Sequence, residues 1–453
     1  MGGASNNAHL AAQGTRFLFL AHVAAARQGQ AGTAGSIDVA TSVTTSLTRQ
    51  LDDFRELLRI RDYQRLWAAQ VISAFGDRFT QIALATLIFT MTGSRVGIGV
   101  VLALGVLPEA GLGIVAGVAA DRFSRRTLLI ATDLLRAAVV LVLGLWTGLP
   151  AALVYALALV HSSATVFFTP TRYALLPEVV GRERLLAANA LDETSQNSLD
   201  PLAYLVAGGL LVAVGMRATF AVDSVTFLVS AAIISGTVLP LLQRTRQSLP
   251  ETRAHTGASG GAMEGLRFIW RDPTLRANTM LVMLATLVAS CEYPLSYMMV
   301  FSHWQKGPFG LGVMEAALAL GIVGGGLACR AAVASLGRGP TILVGLAGTG
   351  VTMTAIAFLP FSLAILVVAA SGVSNAWYFL PMMTLQQELA PDAIRARVLG
   401  SRRMLTAITI FVSYVTATVL ARTTSPAVLM GVAGLALLSI ALGGFLFPEL
   451  RRR

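Results

Sequence analysis

The chain has 453 residues, 55% hydrophobic and only 13% charged, with a mean hydropathy of +0.70. A soluble protein carries about 25% charged residues, so half the usual polar coat is missing; the apolar residues run in long blocks, which excludes an ordinary soluble domain. The net charge of +11 rests on arginine, with Lys306 the only lysine, and these arginines cluster in short gaps between apolar blocks, which fits a membrane topology rather than a nucleic-acid partner.

In chain order, residues 1–48 are rich in Ala, Gly, Ser and Thr without lasting periodicity. The apolar run at 17–26 is short, interrupted by His22 and followed by no clean cleavage site. This reads as a disordered cytoplasmic tail, or as residues added by an upstream start codon, rather than as a signal peptide. Residues 49–65 read as an amphipathic helix leading into the membrane, which puts the tail at 1–62.

About twelve blocks then follow that are long enough to cross a bilayer. They lie near 66–91, 96–119, 127–147, 151–171, 189–214, 218–240, 277–303, 309–332, 340–359, 361–385, 402–421 and 425–447. The fold class expected is all-α and integral to the membrane. Cys291 and Cys329 fall in separate blocks, giving neither a disulfide framework nor a metal-ligand spacing, so no metal and no cofactor is expected.

The connections alternate in charge. Those at 121–126, 172–184, 241–276, 333–339 and 391–403 hold most of the loop arginines, while the opposite gaps hold little beyond Arg95, Arg217, Lys306 and Arg422. Positive loops stay inside, so both termini are expected in the cytoplasm of a bacterial inner membrane, with the basic end 449–453 agreeing. The connection 241–276 divides the chain into a bundle at 63–240 and a bundle at 277–448, and its end at 263–271 has the pattern of a helix lying on the membrane surface. The halves echo one another: Pro170 to Leu186 after the fourth block and Pro381 to Leu399 after the tenth each carry a proline near the span end, a second proline, then an Arg-x-Arg pair. Two six-helix bundles repeated in parallel place a binding site between the halves.

Between the second and third blocks lies Gly117-Val-Ala-Ala-Asp121-Arg122-Phe-Ser124-Arg125-Arg126. It resembles the signature loop of the major facilitator superfamily, with Ser124 in place of a glycine and Ala119 in place of a leucine. The likeness extends to Arg65-Leu-Trp67, Gly76-Asp77, Thr92-Gly-Ser94, Leu107-Pro108, Asp133-x-x-Arg136 and Leu185-x-Ala-Ala-Asn189. Together these resemble the drug:proton antiporter branch that includes macrolide and siderophore exporters, over roughly residues 55–448. In the fifth block the branch usually has Gly-Pro, where this chain has Ala203-Tyr204, with Gly208-Gly209 kept and Pro201 earlier. The resemblance implies two pseudo-symmetric bundles and a gate at Gly117, Asp121, Arg122, Arg125 and Arg126. There Asp121 caps the third helix region, and ion pairs break and re-form as the halves rock.

Acids inside spans are costly unless paired or hydrated, and so mark function. Asp77, Glu109, Asp200 and Glu292 all fall within blocks. The resemblance makes the first and seventh spans line the cavity, so Asp77 and Glu292 lead as proton or cation-substrate sites, with Glu109 and Asp200 next. Desolvation favours a carboxyl's neutral form, which suits reversible protonation near neutral pH. The plainer alternative is a satisfied pair, and Arg78 stands beside Asp77 to make one. Asp133 and Arg136, one turn apart, read as a structural charge pair, and Asp223 reads as structural too. Phe167, Phe168, Trp377 and Tyr378 are candidates for an aromatic cavity wall, with helix packing as the equal alternative.

The function expected is secondary transport: proton-coupled efflux of a drug-like or amphipathic small molecule by a monomer in the lipid bilayer. The alternatives are uptake by symport, export of a dedicated metabolite such as a siderophore, and a non-transporting scaffold or receptor of the same fold. Metalloprotease, esterase, prenyl-diphosphate and Walker motifs are missing from the sequence, so neither a membrane enzyme nor an ATP-driven pump is expected.

Overall fold

The computed structural model describes residues 54–146, 148–181, 183–237, 258–389 and 394–445. The tail 1–48, the stretch 241–257 of the central connection and the basic end 449–453 lie outside the described residues.

Among the described residues the chain is helical, with no strand. A short helical stretch at 54–59 leads into α1 (Arg61–Thr92), followed by α2 (Arg95–Arg122), α3 (Arg125–Leu145) and α4 (Ala151–Val180). The next helix, Leu185–Ser235, has 51 residues. At 1.5 Å per residue it is more than twice as long as the ~30 Å hydrocarbon core of a bilayer. Gly215 interrupts it with φ 81° and ψ 175°, a backbone that only glycine adopts cheaply. Both ends return to the start of α1: the Tyr63 hydroxyl donates to the Ala188 carbonyl at 3.3 Å, and Arg65 donates to the Gly236 carbonyl. The segment is therefore two antiparallel spans, α5 (185–214) and α6 (216–235).

The second half runs α7 (Ala258–Arg271), α8 (Pro273–Ala289), α9 (Glu292–Met298), a π-helical turn at Met299–His303, α10 (Gly307–Leu336), α11 (Arg338–Ile356), α12 (Phe361–Leu389), α13 (Arg395–Leu420) and α14 (Pro426–Phe445). Asp272 opens α8 by accepting the Leu275 N–H at 2.7 Å, with Pro273 in the first turn where its missing N–H costs nothing. Asn278–His303 forms one crossing that breaks at Ser290–Cys291, so Glu292 begins a new helix inside the membrane. Among the described residues eleven helices are long and apolar enough to span, and the double crossing at α5–α6 brings the crossings to the twelve expected.

Lipid supplies no hydrophobic drive between helices, so close backbone approach and polar links must hold them together. Between the halves, Gly208 of α5 and Gly312 of α10 lie against each other's backbones, where any side chain would collide. Leu327, Leu366 and Val212 are 82%, 68% and 65% exposed, a shell that suits lipid and not water. The pseudo-symmetry reaches single side chains. Arg125 at the start of α3 pairs with Glu178 near the end of α4 at 2.5 Å, and Arg338 at the start of α11 pairs with Glu388 near the end of α12 at 2.5 Å.

Candidate functional site

A cavity of about 1210 Å³ lies between the halves, walled by α1, α2, α4, α9 and α13. Its inner end is polar, with Asp77, Arg78, Gln81 and His161 facing Tyr293 and Tyr414. It extends to Gly117 and Tyr173, towards the arginine-rich end of the bundle. At the other end the halves meet: Phe89 packs on Phe301 with ring centroids 5.0 Å apart, and Arg95 donates to the Ala421 carbonyl at 2.9 Å. The halves therefore close the cavity at that end.

Asp77 sits midway along α1, where it has an arginine partner, though not its neighbour Arg78. Arg136 of α3 donates to both Asp77 oxygens, at 3.1 and 3.3 Å, to Ser73 Oγ at 2.9 Å, and to Asp133. The guanidinium lies between the rings of Phe168 and Phe227, at 4.6 and 4.5 Å. Ser230 donates to the second Asp133 oxygen at 2.6 Å. Asp133 and Arg136 are 0% and 1% exposed, so the pair read as local is the anchor of a network spanning α1, α3 and α6.

Arg78 turns the other way and grips Asp200 of α5 with two donors, at 2.9 and 2.7 Å, while stacking over Tyr204 at 5.1 Å. Gln81 continues this layer across the halves by donating to the Tyr297 hydroxyl at 2.7 Å, and Tyr293 and Tyr297 share a hydrogen bond of 3.0 Å. Tyr293 also stacks on Tyr414, with ring centroids 5.7 Å apart. Glu292 lies outside the cavity wall and accepts from Ser371 at 2.8 Å. Glu109 lines the cavity and accepts from Arg403 of α13 at 2.9 Å, a strut between the halves.

The rings in this cavity's wall are Tyr173, Tyr293 and Tyr414; Phe167, Phe168, Trp377 and Tyr378 are not among them. Phe168 is instead buried on Arg136. In the loop motif, Gly117 lines the cavity and Asp121 is the penultimate residue of α2. The cap of α3 is Ser124, whose hydroxyl accepts the Thr127 N–H at 3.2 Å; the side chain of Asp121, expected in that place, lies outside the described residues. Arg125 also donates to the Ala174 carbonyl at 2.7 Å and Arg126 to the Ser235 carbonyl, tying the loop to the ends of α4 and α6.

Sequence reasoning passed over His161, Gln81, Tyr293, Tyr297, Tyr414 and Glu315. Glu315 is 4% exposed near the first third of α10, and an acid inside a span was a signal that could have found it. His161 carried the same kind of signal in α4. The tyrosines carried none, because a ring suits lipid, core and cavity alike.

Residues 66–414 match the Major Facilitator Superfamily. The multidrug efflux pump Tap of Mycolicibacterium fortuitum is 32% identical over 350 residues, covering 74% of this chain and 83% of that protein. Macrolide efflux protein A of Streptococcus pyogenes is 25% identical over 275 residues, covering 58% of this chain and 65% of that protein. Among solved structures, the nucleoside transporter NupG superposes with a TM-score of 0.69 at 10% identity, covering 85% of this chain and 99% of that one. A POT peptide transporter does so with a TM-score of 0.67 at 14% identity, covering 86% and 94%. The match over most of the chain, the twelve crossings and the central cavity agree: the chain belongs to the Major Facilitator Superfamily.

Proposed function

We propose that the protein is a proton-coupled exporter of drug-like or amphipathic small molecules, working by alternating access as a monomer in a bacterial inner membrane and not as an enzyme. The observation that carries this reading is the 1210 Å³ cavity with the ion-paired Asp77 in its wall. A cavity of this size takes a drug-sized molecule, and an acid at its inner end is placed to exchange a proton for it. Export rather than uptake is favoured by the two efflux pumps among its relatives. Asp77 leads as the proton site, with Glu292, Glu109 and Asp200 as the further candidates. A substrate screen in everted vesicles with a pH-sensitive dye tests this: lipophilic drugs should each trigger alkalinisation of an acidified lumen, and uptake coupled in the opposite sense refutes export.

On this reading both termini lie in the cytoplasm, as the arginine-rich connections favour, with domain limits at 63–240 and 277–448. Reporter fusions after Arg246 and after Arg453 should both report cytoplasm, and a periplasmic signal from either refutes the topology.

The loop Asp121–Arg126 acts as a gate at that face. Asp121→Asn removes a charge at nearly constant volume, so the variant should insert and express normally yet turn over at least about tenfold more slowly, the cost of about 1.4 kcal/mol in the rocking barrier. Wild-type transport by a well-expressed variant refutes the gate.

A further inference from the structure

Around Arg136 the first half gathers more acid than that one cation can balance. Asp77, Asp133 and Asp223 surround the single guanidinium of Arg136, which bonds the first two. Asp223 of α6 is 0% exposed, and its Oδ2 accepts from the Thr80 hydroxyl of α1. Its Oδ1 has no protein partner and lies against Gly76, the residue before Asp77, where a side chain would collide with it. His161 of α4 is 7% exposed, lines the cavity, packs edge-on against Phe227 of α6 at 5.6 Å, and leaves Nε2 without a protein partner. Even with His161 charged, three carboxylates against two cations leave one anion uncompensated.

A buried carboxylate with no cation bound to it and one bare oxygen is among the most expensive groups a protein can hold. The neutral acid removes that cost, and its O–H can lie on the bare Oδ1. Among the described residues no three histidines, cysteines or acids are grouped to hold a metal ion, and a proton is the ion that neutralises a lone carboxylate without further ligands.

Resting on the proton-coupled reading above, we propose that Asp223 is the proton store of the first half, loaded and emptied through Asp77. In the step that empties it, the O–H bond of Asp223 breaks and a new O–H bond forms on the Asp77 carboxylate, across Gly76. Asp77 then no longer needs Arg136, whose charge acts on Asp223 as well and now offsets the new anion there. The proton passes from Asp77 to cavity water, which carries it away past His161 in the cavity wall. The groups acting on Asp223 are Asp77 and Thr80 from α1, Arg136 from α3 and Thr226 from its own helix; Asp133 bonds Arg136, and His161 of α4 acts on Asp77 and Arg136. Arg136 is thus a switch: its grip on Asp77 sets when the proton moves.

Infrared spectroscopy of the purified protein tests the store without any transport. Asp223→Asn should remove one component of the protonated-carboxyl band at neutral pH. Thr80→Val should shift that component by removing its hydroxyl donor, and this second variant keeps the test available if the first folds poorly. In proteoliposomes, Asp223→Asn should reduce substrate-driven proton flux on the order of a hundredfold. A band unchanged in both variants overturns the proposal, as does normal coupled flux in Asp223→Asn. If the wild type moves no protons with any substrate, the export reading fails, while the infrared result still reports on Asp223.

Discussion

Asp77→Asn should abolish substrate-driven proton movement, by on the order of a hundredfold, while substrate binding survives. The substitution keeps the shape of the side chain and removes the one group in the first half that both lines the cavity and bonds Arg136. Proton-driven export needs a carboxyl that water reaches from each face in turn, near the midplane. Asp77 meets the depth requirement at the seventeenth position of the 32-residue α1. Its side chain is 29% exposed against 1% for Arg136, so one partner of the pair is wet and the other dry. Protonation of the wet partner breaks the pair at the cost of one charge-assisted link, about 1.5–3 kcal/mol.

The measurement compares proton flux and equilibrium drug binding on the same reconstituted preparation. Glu292→Gln is the comparison: Glu292 is tied to Ser371 and is not in this cavity's wall, so its loss should reduce flux less than the loss of Asp77 does. Normal coupled flux in Asp77→Asn places the coupling elsewhere, with Glu109 and Asp200 next to be tested. Loss of binding together with flux makes Asp77 a substrate ligand instead.

The fold was legible because lipid imposes a simple rule: a crossing helix must be long and apolar, and its loops carry the charge. The break at Gly215 escaped notice only in detail, since a short polar gap and a left-handed glycine look alike in sequence. The site was harder. Asp77 stands out in the sequence because an acid in a span is expensive, but its partner Arg136 does not, because Arg78 is near in sequence and Arg136 is near only in space. The i,i+3 spacing of Asp133 and Arg136 shows that they can meet. It cannot show that the guanidinium, with several donors, also reaches α1. The aromatic candidates stayed open between cavity and packing for a related reason: consecutive residues on a helix point ~100° apart, so the adjacent pair Phe167–Phe168 cannot reveal which of the two faces a cavity. Phe168 went to Arg136, and the wall was made by tyrosines from three other places in the chain.

Removing Arg136 should cost more stability than any other single change in the first half. Arg136→Met keeps the length and apolar stem of the side chain, so packing between Phe168 and Phe227 is largely retained. What disappears is the charge that Asp133 and Asp77 share, the donor to Ser73, and the stacking of a cation on two rings. Asp133 is left 0% exposed with only Ser230 to bond it. Breaking a buried pair by deleting one partner costs about 3–5 kcal/mol, chiefly because the remaining charge is stranded. Thermal melting of the purified protein in detergent should therefore show a marked fall for Arg136→Met. The cause is separable, because the stranded charge can be removed as well. Arg136→Met combined with Asp133→Asn should recover much of the loss, since an amide in that place still accepts from Ser230 and carries no charge. A coupling of about 1–3 kcal/mol between the two substitutions is the expected size for groups in direct contact. Strict additivity means instead that Arg136 holds the helices by packing on Phe168 and Phe227 and not by charge, and the network would then have no claim to gate a proton.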